Sequence, residues 1–470
     1  MDWSTALTAN AWAGEEGPVS GTLSNQARGW ATQGRFPSPQ EWLGPPDLPD
    51  ERDWKHERIG WGLVLAEPDG DWSAADKAQA RDAPEPLQAL IASRGAAPVL
   101  RYHAELRDRK LRRYYNDGTV NDPEIGLSAT GVGRGQIPRY LLVYGDPVAI
   151  PWSLQYALNR SHAVGRLDLT GAALDNYVTA LLGSWDRSGA DPVKATVWTV
   201  DTGPDDITSL MRRSLADPIA RKLAEDDETT RTLSHLRGDT ATHQLLVDNL
   251  ASHHPAVVVT TSHGKTGPLD NSEQMSADLG LLVDQNRQTL SLSELTRAWE
   301  PDGAVWYAHA CCSAGSAAGS GYADLLEAGS LAERVVTKVG ELGARVAPLP
   351  KALLGASKPL RAFVGHVEPT FDWTLRQPDN QQLVSSSLIE AVYPKLYLGH
   401  PVGLAFRDFF RGVGELWSKY VLARDELNAG NAAARADAFR IRLTAHDRQS
   451  LVILGDPTVT VPPLPSRRQP

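Results

Sequence analysis

Cysteine is almost missing from this chain. In 470 residues there are two, and they are adjacent, Cys311 and Cys312. Neighbouring cysteines can form only a strained vicinal bridge, so a disulfide framework of the kind that staples small secreted domains is excluded. Free thiols in a reducing, cytoplasmic setting are expected. Basic charge is scarce too: 47 Lys and Arg stand against 57 Asp and Glu, for a formal net charge of −10, with no basic block. Such a surface does not suit sequence-independent binding of nucleic acid or an anionic membrane, and neither partner is expected. No apolar run approaches the roughly 20 residues of a spanning helix. The opening MDWSTALTANAWAGEEG lacks the basic and apolar regions of a secretory signal. H-E-x-x-H is absent, and His253-His254 has no Cys or carboxylate nearby at ligand spacing, so no catalytic metal and no cofactor are expected.

The remaining composition is that of a globular protein able to bury a core, with 41% hydrophobic and 22% charged residues. The length suggests two or three units, or one domain with large embellishments. Residues 1–95 are rich in Pro, Gly and Trp and read as an irregular N-terminal segment, a candidate for a regulatory role, with one strand-like run at Ile59–Leu65. Exposing Trp30, Trp42, Trp54 and Trp61 would be costly, so this segment is expected to pack against another surface. From about residue 96 the pattern alternates. Apolar runs at Pro98–Tyr102, Tyr140–Tyr144, Ala195–Val200, Ala256–Thr261, Ala304–Ala308, Arg361–Val364 and Leu451–Leu454 predict strands. Between them Asp205–Glu225, Asp239–Ala251, Ser293–Trp299 and Tyr322–Leu342 predict helices. The expected fold class is α/β, a mostly parallel sheet with helices on both faces. The expected division is 1–95, a core over 96–374, and a helical part over 375–470 that returns a final strand to the core.

Two apolar runs of the same shape carry the chemistry. AVVVTTSHG (256–264) ends in His263, and AVWYAHACCSAG (304–315) ends in the two cysteines. In parallel α/β sheets, sites form beyond the carboxyl ends of the strands, where both side chains fall. A thiol attacks a carbonyl as thiolate, and a nearby imidazole generates one near neutral pH. Gly264 follows His263, so its backbone N–H can approach a substrate oxygen unhindered. The 48-residue separation suits a helix-containing crossover between neighbouring strands. His309, two residues before Cys311, falls on the same strand face as a polar neighbour or a satisfied core histidine.

TTSHG (260–264) and AHACCSAGS (308–316) resemble the His-Gly and Ala-Cys blocks of caspase-like cysteine peptidases, most of all the gingipain-type family, with CHAT-domain proteases as relatives. YLLVYGDPVAIP (140–151) with HAVGRLDL (162–169) resembles the strand and "VGR" region ahead of the catalytic His, and LVILGDPTVTVP (451–462) resembles the closing "GDP" strand of that fold. The resemblance spans roughly 96–462. It implies a cysteine endopeptidase with Cys311 as nucleophile, Cys312 in a variable position, His263 as general base and acid, and the N–H groups of Gly264 and Cys311 as oxyanion hole. It also implies an acid that orients the His and lies soon after the "VGR" segment, where Asp168 is the nearest carboxylate and Asp175 the next. Among the loop aspartates, Asp270, Asp278, Asp284 and Asp324 are candidates for an S1 pocket selecting Arg or Lys. The implied partners are a protein or peptide substrate and a regulatory protein, by analogy in a bacterial stress or defence pathway, with Arg28 and Arg35 as self-processing sites if the P1 residue is basic.

Two other functions compete with the peptidase. A scaffold with the same fold would bind a partner through residues 1–95 and need neither Cys311 nor His263. Nucleotide hydrolysis is suggested by HGKT (263–266), but the first glycine of a phosphate-binding loop would fall at Val259, and Pro268 sits where the helix should run.

Overall fold

The computed structural model describes residues 6–9, 11–12, 14, 19–24, 49–95, 97–227, 232–322 and 324–464. Trp30, Trp42, Arg28 and Arg35 lie outside the described residues. Ten strands form one sheet: β1 (Trp61–Ala66), β2 (Val99–Tyr102), β3 (Tyr140–Tyr144), β4 (Ala163–Leu167), β5 (Asp191–Thr199), β6 (Leu233–Arg237), β7 (Pro255–Thr261), β8 (Val305–His309), β9 (Ala362–His366) and β10 (Leu451–Gly455). Their order across the sheet is β6-β5-β7-β8-β9-β10-β4-β3-β1-β2. Every neighbouring pair is parallel except β9 and β10.

That single antiparallel pairing divides the sheet into two parallel blocks of opposite direction. The carboxyl ends of β5, β7, β8 and β9 lie along one edge, and those of β10, β4, β3 and β1 along the other. The α/β class and the mostly parallel sheet expected from the alternating pattern are both present. All seven residues of β7 and all five of β8 are buried, as strands covered on both faces must be. Among the described residues, no helix is long and apolar enough to cross a membrane.

The boundary expected at 95/96 does not separate two units. Strand β1 sits inside the sheet, between β3 and β2, and Leu87, Leu90 and Ile91 of the helix Glu85–Ser93 are buried in the main core. The run Ile59–Leu65 therefore supplies a core strand. The tryptophans beside it are packed, and the reason is electrostatic as well as apolar. The Arg94 guanidinium lies between the rings of Trp54 and Trp61, 4.3 and 4.4 Å from their centroids. Asp456, just past β10, accepts the Trp61 indole N–H at 2.9 Å and the Thr458 N–H at 2.8 Å, and pairs with Arg94 at 3.4 Å. Both charges are almost wholly buried.

The aspartate of LGDPT thus ties the last strand of the ten-stranded sheet to β1, across 395 residues of chain. Removing it leaves Arg94 a buried cation without its counter-ion. Asp456→Ala is expected to cost about 3–5 kcal/mol of stability, read as a lower midpoint in urea unfolding at unchanged slope. A loss within a few tenths of a kcal/mol would show that the buried pair is not what joins the two ends.

The carboxyl-terminal part is helical as expected, with Arg407–Asn428 packed on Ala434–Gln449 before the chain enters β10. The helix expected over Tyr322–Leu342 begins only at Leu331, where the Ser330 hydroxyl caps the Glu333 N–H. Leu326, ahead of that cap, instead makes a bridge to Leu23.

Candidate active site

Strands β7 and β8 are in register, with Thr261 opposite His309, so the segments leaving them begin side by side. The Ser262 N–H donates to the His309 carbonyl at 3.3 Å and holds the two exits together. On its other side β7 pairs with β5, where the hydroxyls of Thr199 and Thr261 meet at 2.7 Å in the interior. Strand β5 is the first of its block, with β6 on one side and β7 on the other, so the chain reverses its order of addition there. Such a switch point leaves a crevice beyond the strand ends.

Across that crevice, Nε2 of His263 is 3.0 Å from Oδ2 of Asp206, which lies beyond the end of β5. The other oxygen of Asp206 accepts the N–H and hydroxyl of Thr208, at 2.8 and 2.6 Å, and so caps the short helix Ile207–Met211. Burial by itself would raise the Asp206 carboxyl. The bond and charge of His263 and the two bonds from Thr208 outweigh it and bring the carboxyl to about 2. An ionised Asp206 accepts from Nε2–H. That fixes the imidazole tautomer whose Nδ1 carries a lone pair, and Nδ1 is buried with no hydrogen-bond partner among the described residues.

Asp206 is the acid beside the histidine, and Asp168 is not. Asp168 follows β4, four strand positions from β7, roughly 19 Å at 4.8 Å per strand, and on the opposite edge of the sheet. It pairs instead with Lys351 at 2.8 Å. Asp175 is exposed on the helix Gly171–Leu182. The antiparallel pairing of β9 and β10 is the physical reason: it turns the whole β4 block around. Asp206 stands in DDITS at the start of an expected helix, where an aspartate reads as a cap. Only the order of strands brings it to His263.

Cys311 and Cys312 lie in a tight turn after β8 and are both free and fully buried. The turn is stitched to the segment following β9. Cys312 N–H donates to the Glu368 carbonyl at 3.0 Å, Ala314 N–H to His366 at 2.8 Å, and Glu368 N–H to Gly315 at 3.1 Å. The Ser313 hydroxyl donates to the Ala310 carbonyl at 2.8 Å and accepts the His366 N–H at 3.0 Å. Cys311 Sγ accepts the Thr370 N–H at 3.1 Å. Cys312 takes a left-handed φ of 55°. Gly264 presses directly on the turn: a Cβ there would lie 1.9 Å from the Cys311 carbonyl oxygen, so no other residue fits.

The structure therefore brings the His263-Gly264 and Cys311 backbones into contact. Among the described residues, no hydrogen bond joins Cys311 Sγ to His263. Burial pushes the Cys311 thiol well above its ordinary value, and Cys312 likewise, with Cys311 and Glu368 adding to the effect on Cys312. In this closed arrangement Cys311 is held as a thiol.

The remaining candidates divide cleanly. His309 is a core histidine. Its Nδ1 meets the Tyr307 hydroxyl at 3.0 Å and His366 Nε2 at 3.2 Å, and burial lowers it to about 3. Asp284 is buried and engaged with the N–H and Nδ1 of His243 and the N–H groups of Asn286 and Gln288. Asp270 and Asp324 are exposed, and Asp278 is half-buried. A cavity of about 140 Å³ opens beside Asp206, lined by Trp12, Gly203, Pro204 and Arg287 among others.

Two buried carboxyls flank the cysteine turn. Burial lifts Glu368 to about 7 against a hydrogen bond from the Gly321 N–H, and lifts Asp447 to about 7 against bonds from Phe371 and Thr374. Between the ordinary carboxylate value and pH 7 the folded chain then holds protons that the unfolded chain has lost. The contribution of these two groups to stability is full below about pH 4 and is lost as pH rises through 7. Glu368→Gln removes one such group and keeps an acceptor. Its stability is expected to equal that of the wild type at pH 4 and to exceed it at pH 8 by about 3 kcal/mol, read by urea unfolding at both pH values. Parallel pH profiles for the two proteins would contradict the assignment.

No family model matches this chain, and no curated protein matches it.

Proposed function

We propose that this protein is a cysteine endopeptidase of the caspase-like, gingipain-related kind, with Cys311 as nucleophile, His263 as general base and acid, and Asp206 as the residue that orients His263. The observation that carries the reading is the His263–Asp206 pair at one strand exit, packed through Gly264 against the Cys311 backbone at the next. A scaffold has no physical need for an imidazole whose Nε2 is held by a carboxylate and whose Nδ1 is left buried and unpartnered.

In the reaction, His263 Nδ1 takes the proton of Cys311 Sγ as the site opens, and Asp206 stabilises the imidazolium. The thiolate adds to the scissile carbonyl carbon, forming an S–C bond and an oxyanion, which the N–H groups of Gly264 and Cys311 stabilise. Collapse breaks the C–N bond, and the amine leaves with the proton from His263. Water, deprotonated by His263, then attacks the thioester and frees the acid and Cys311. A peptide or protein is the substrate, no metal or cofactor takes part, and the free thiol suits a reducing, cytoplasmic compartment.

The test is covalent capture. A peptide carrying a thiol-directed electrophile is expected to label Cys311, with labelling lost in Cys311→Ala and strongly slowed in His263→Ala. Labelling that is indifferent to His263 would overturn the reading. One observation favours the scaffold as a second reading: Cys311 Sγ is fully buried and held by Thr370. A scaffold predicts that Cys311→Ala and His263→Ala leave the cellular phenotype intact.

A further inference from the structure

The strand that carries the histidine has two edges. Residues His263–Lys265 pair on one side with Leu282–Val283, antiparallel, and on the other with Ala11–Trp12, parallel. Ala11 stands opposite Gly264 and Trp12 opposite Lys265, and the Thr266 N–H donates to the Trp12 carbonyl at 2.9 Å. Ala11 is fully buried in one apolar cluster with Cys311, Cys312, Met275 and Leu279. The Trp12 ring lies 6.2 Å from the His263 imidazole at 33°, with the Arg287 guanidinium 5.5 Å from its centroid. It also forms one wall of the 140 Å³ cavity beside Asp206.

Further along, Val19–Thr22 pairs with Ala6–Ala9 and is fastened beyond the cysteine turn. Ser24 N–H donates to the Leu325 carbonyl at 2.8 Å, and Glu327 N–H to Thr22 at 2.9 Å. The described parts of residues 6–24 thus touch both the histidine strand and the segment following the cysteines.

We infer that the edge of His263–Lys265 is a peptide-binding cleft, and that the protein's own Ala11–Trp12 fills it in this structure. An open strand edge is a template for an extended peptide: the backbone supplies hydrogen bonds and alternate side chains supply specificity. Ala11 marks a subsite that admits only a small side chain, since the cysteine cluster closes over it. Trp12 marks the next, a broad aromatic subsite between His263 and Arg287. The ligand class is an extended segment with a small residue followed by a large aromatic one. A two-residue strand is a weak hold, so a competing peptide can displace it. While it stays, Cys311 is covered. The inference takes from the proposed function only that the substrate is a peptide.

The experiment compares the full chain with a variant lacking residues 1–24 by the rate of iodoacetamide alkylation at Cys311, located by mass spectrometry. Alkylation at least tenfold faster in the shortened chain is expected, with protection restored by a synthetic peptide of residues 6–24. Ala11→Glu in the full chain should raise the rate similarly, and it decides the matter if the shortened chain does not fold. Equal rates in the full chain, the shortened chain and Ala11→Glu would overturn the inference, as would a synthetic peptide that gives no protection. Alkylation requires no catalysis. Faster labelling without peptide cleavage upholds the covered cleft and removes the peptidase reading, whereas cleavage with unchanged labelling does the reverse.

Discussion

His263→Ala is expected to lower kcat/KM for peptide cleavage by about 10⁴-fold or more, equivalent to about 5.5 kcal/mol of transition-state stabilisation. The size follows from the state of the nucleophile. Burial holds Cys311 as a thiol, and His263, packed against the Cys311 backbone through Gly264, has a buried Nδ1 with no hydrogen-bond partner among the described residues. Without it the thiol loses its proton acceptor and the leaving amine its proton donor. On the proposed reading both residues serve one proton circuit, so their effects should not add. The double variant with Cys311→Ala should be no less active than Cys311→Ala alone. Steady-state kinetics on a cleaved peptide, with thermal unfolding as a control for folding, checks this. Additive losses would mean that the two residues act in separate steps or not at all.

Asp206→Ala should cost about 10⁴-fold, the loss known when the orienting acid of a catalytic histidine is replaced. On the proposed reading Asp206 acts through His263. It holds the imidazole by Nε2, so its loss is expected in kcat with KM little changed, and Asp206→Glu should recover part of the rate. A purely structural role would show as a lowered melting temperature with kcat intact. Asp206 is held near 2, below its ordinary value, so the pair's contribution to stability is complete above about pH 4 and is lost only as pH falls through 2. Any acid limb of the activity profile above pH 3 must therefore belong to another group.

The sequence made most of the sheet legible because eight of its ten strands are apolar runs, or close to it, and burial on both faces leaves no other choice for them. The two that do not read as strands have physical reasons. Leu233–Arg237 is the outermost strand, half-buried, and so keeps Ser, His and Arg. Ala163–Leu167 carries Gly165, whose Cβ would lie 2.0 Å from the Gly455 carbonyl, and Arg166, fully buried with its guanidinium on the carbonyls of Gly145 and Ile150. Its residues answer to neighbours far along the chain, which periodicity does not register.

The site divides in the same way. His263, Gly264 and Cys311 end apolar runs and could be named from local pattern. The acid could not, because the resemblance points to the carboxylate after the "VGR" segment, Asp168, which the reversed block carries to the far edge. Trp12 was equally hidden. Nothing in MDWSTALTANAW announces a strand, and its two residues are ordered by the edge they occupy.

The central claim is that Cys311 performs peptide-bond hydrolysis, and the measurement that meets it most directly is a peptide-library cleavage profile of the wild type beside Cys311→Ala and Cys312→Ser. The account predicts defined cleavage sites for the wild type and for Cys312→Ser, and none for Cys311→Ala. Cleavage undiminished in Cys311→Ala, or no cleavage by the wild type even after residues 1–24 are removed, would contradict it.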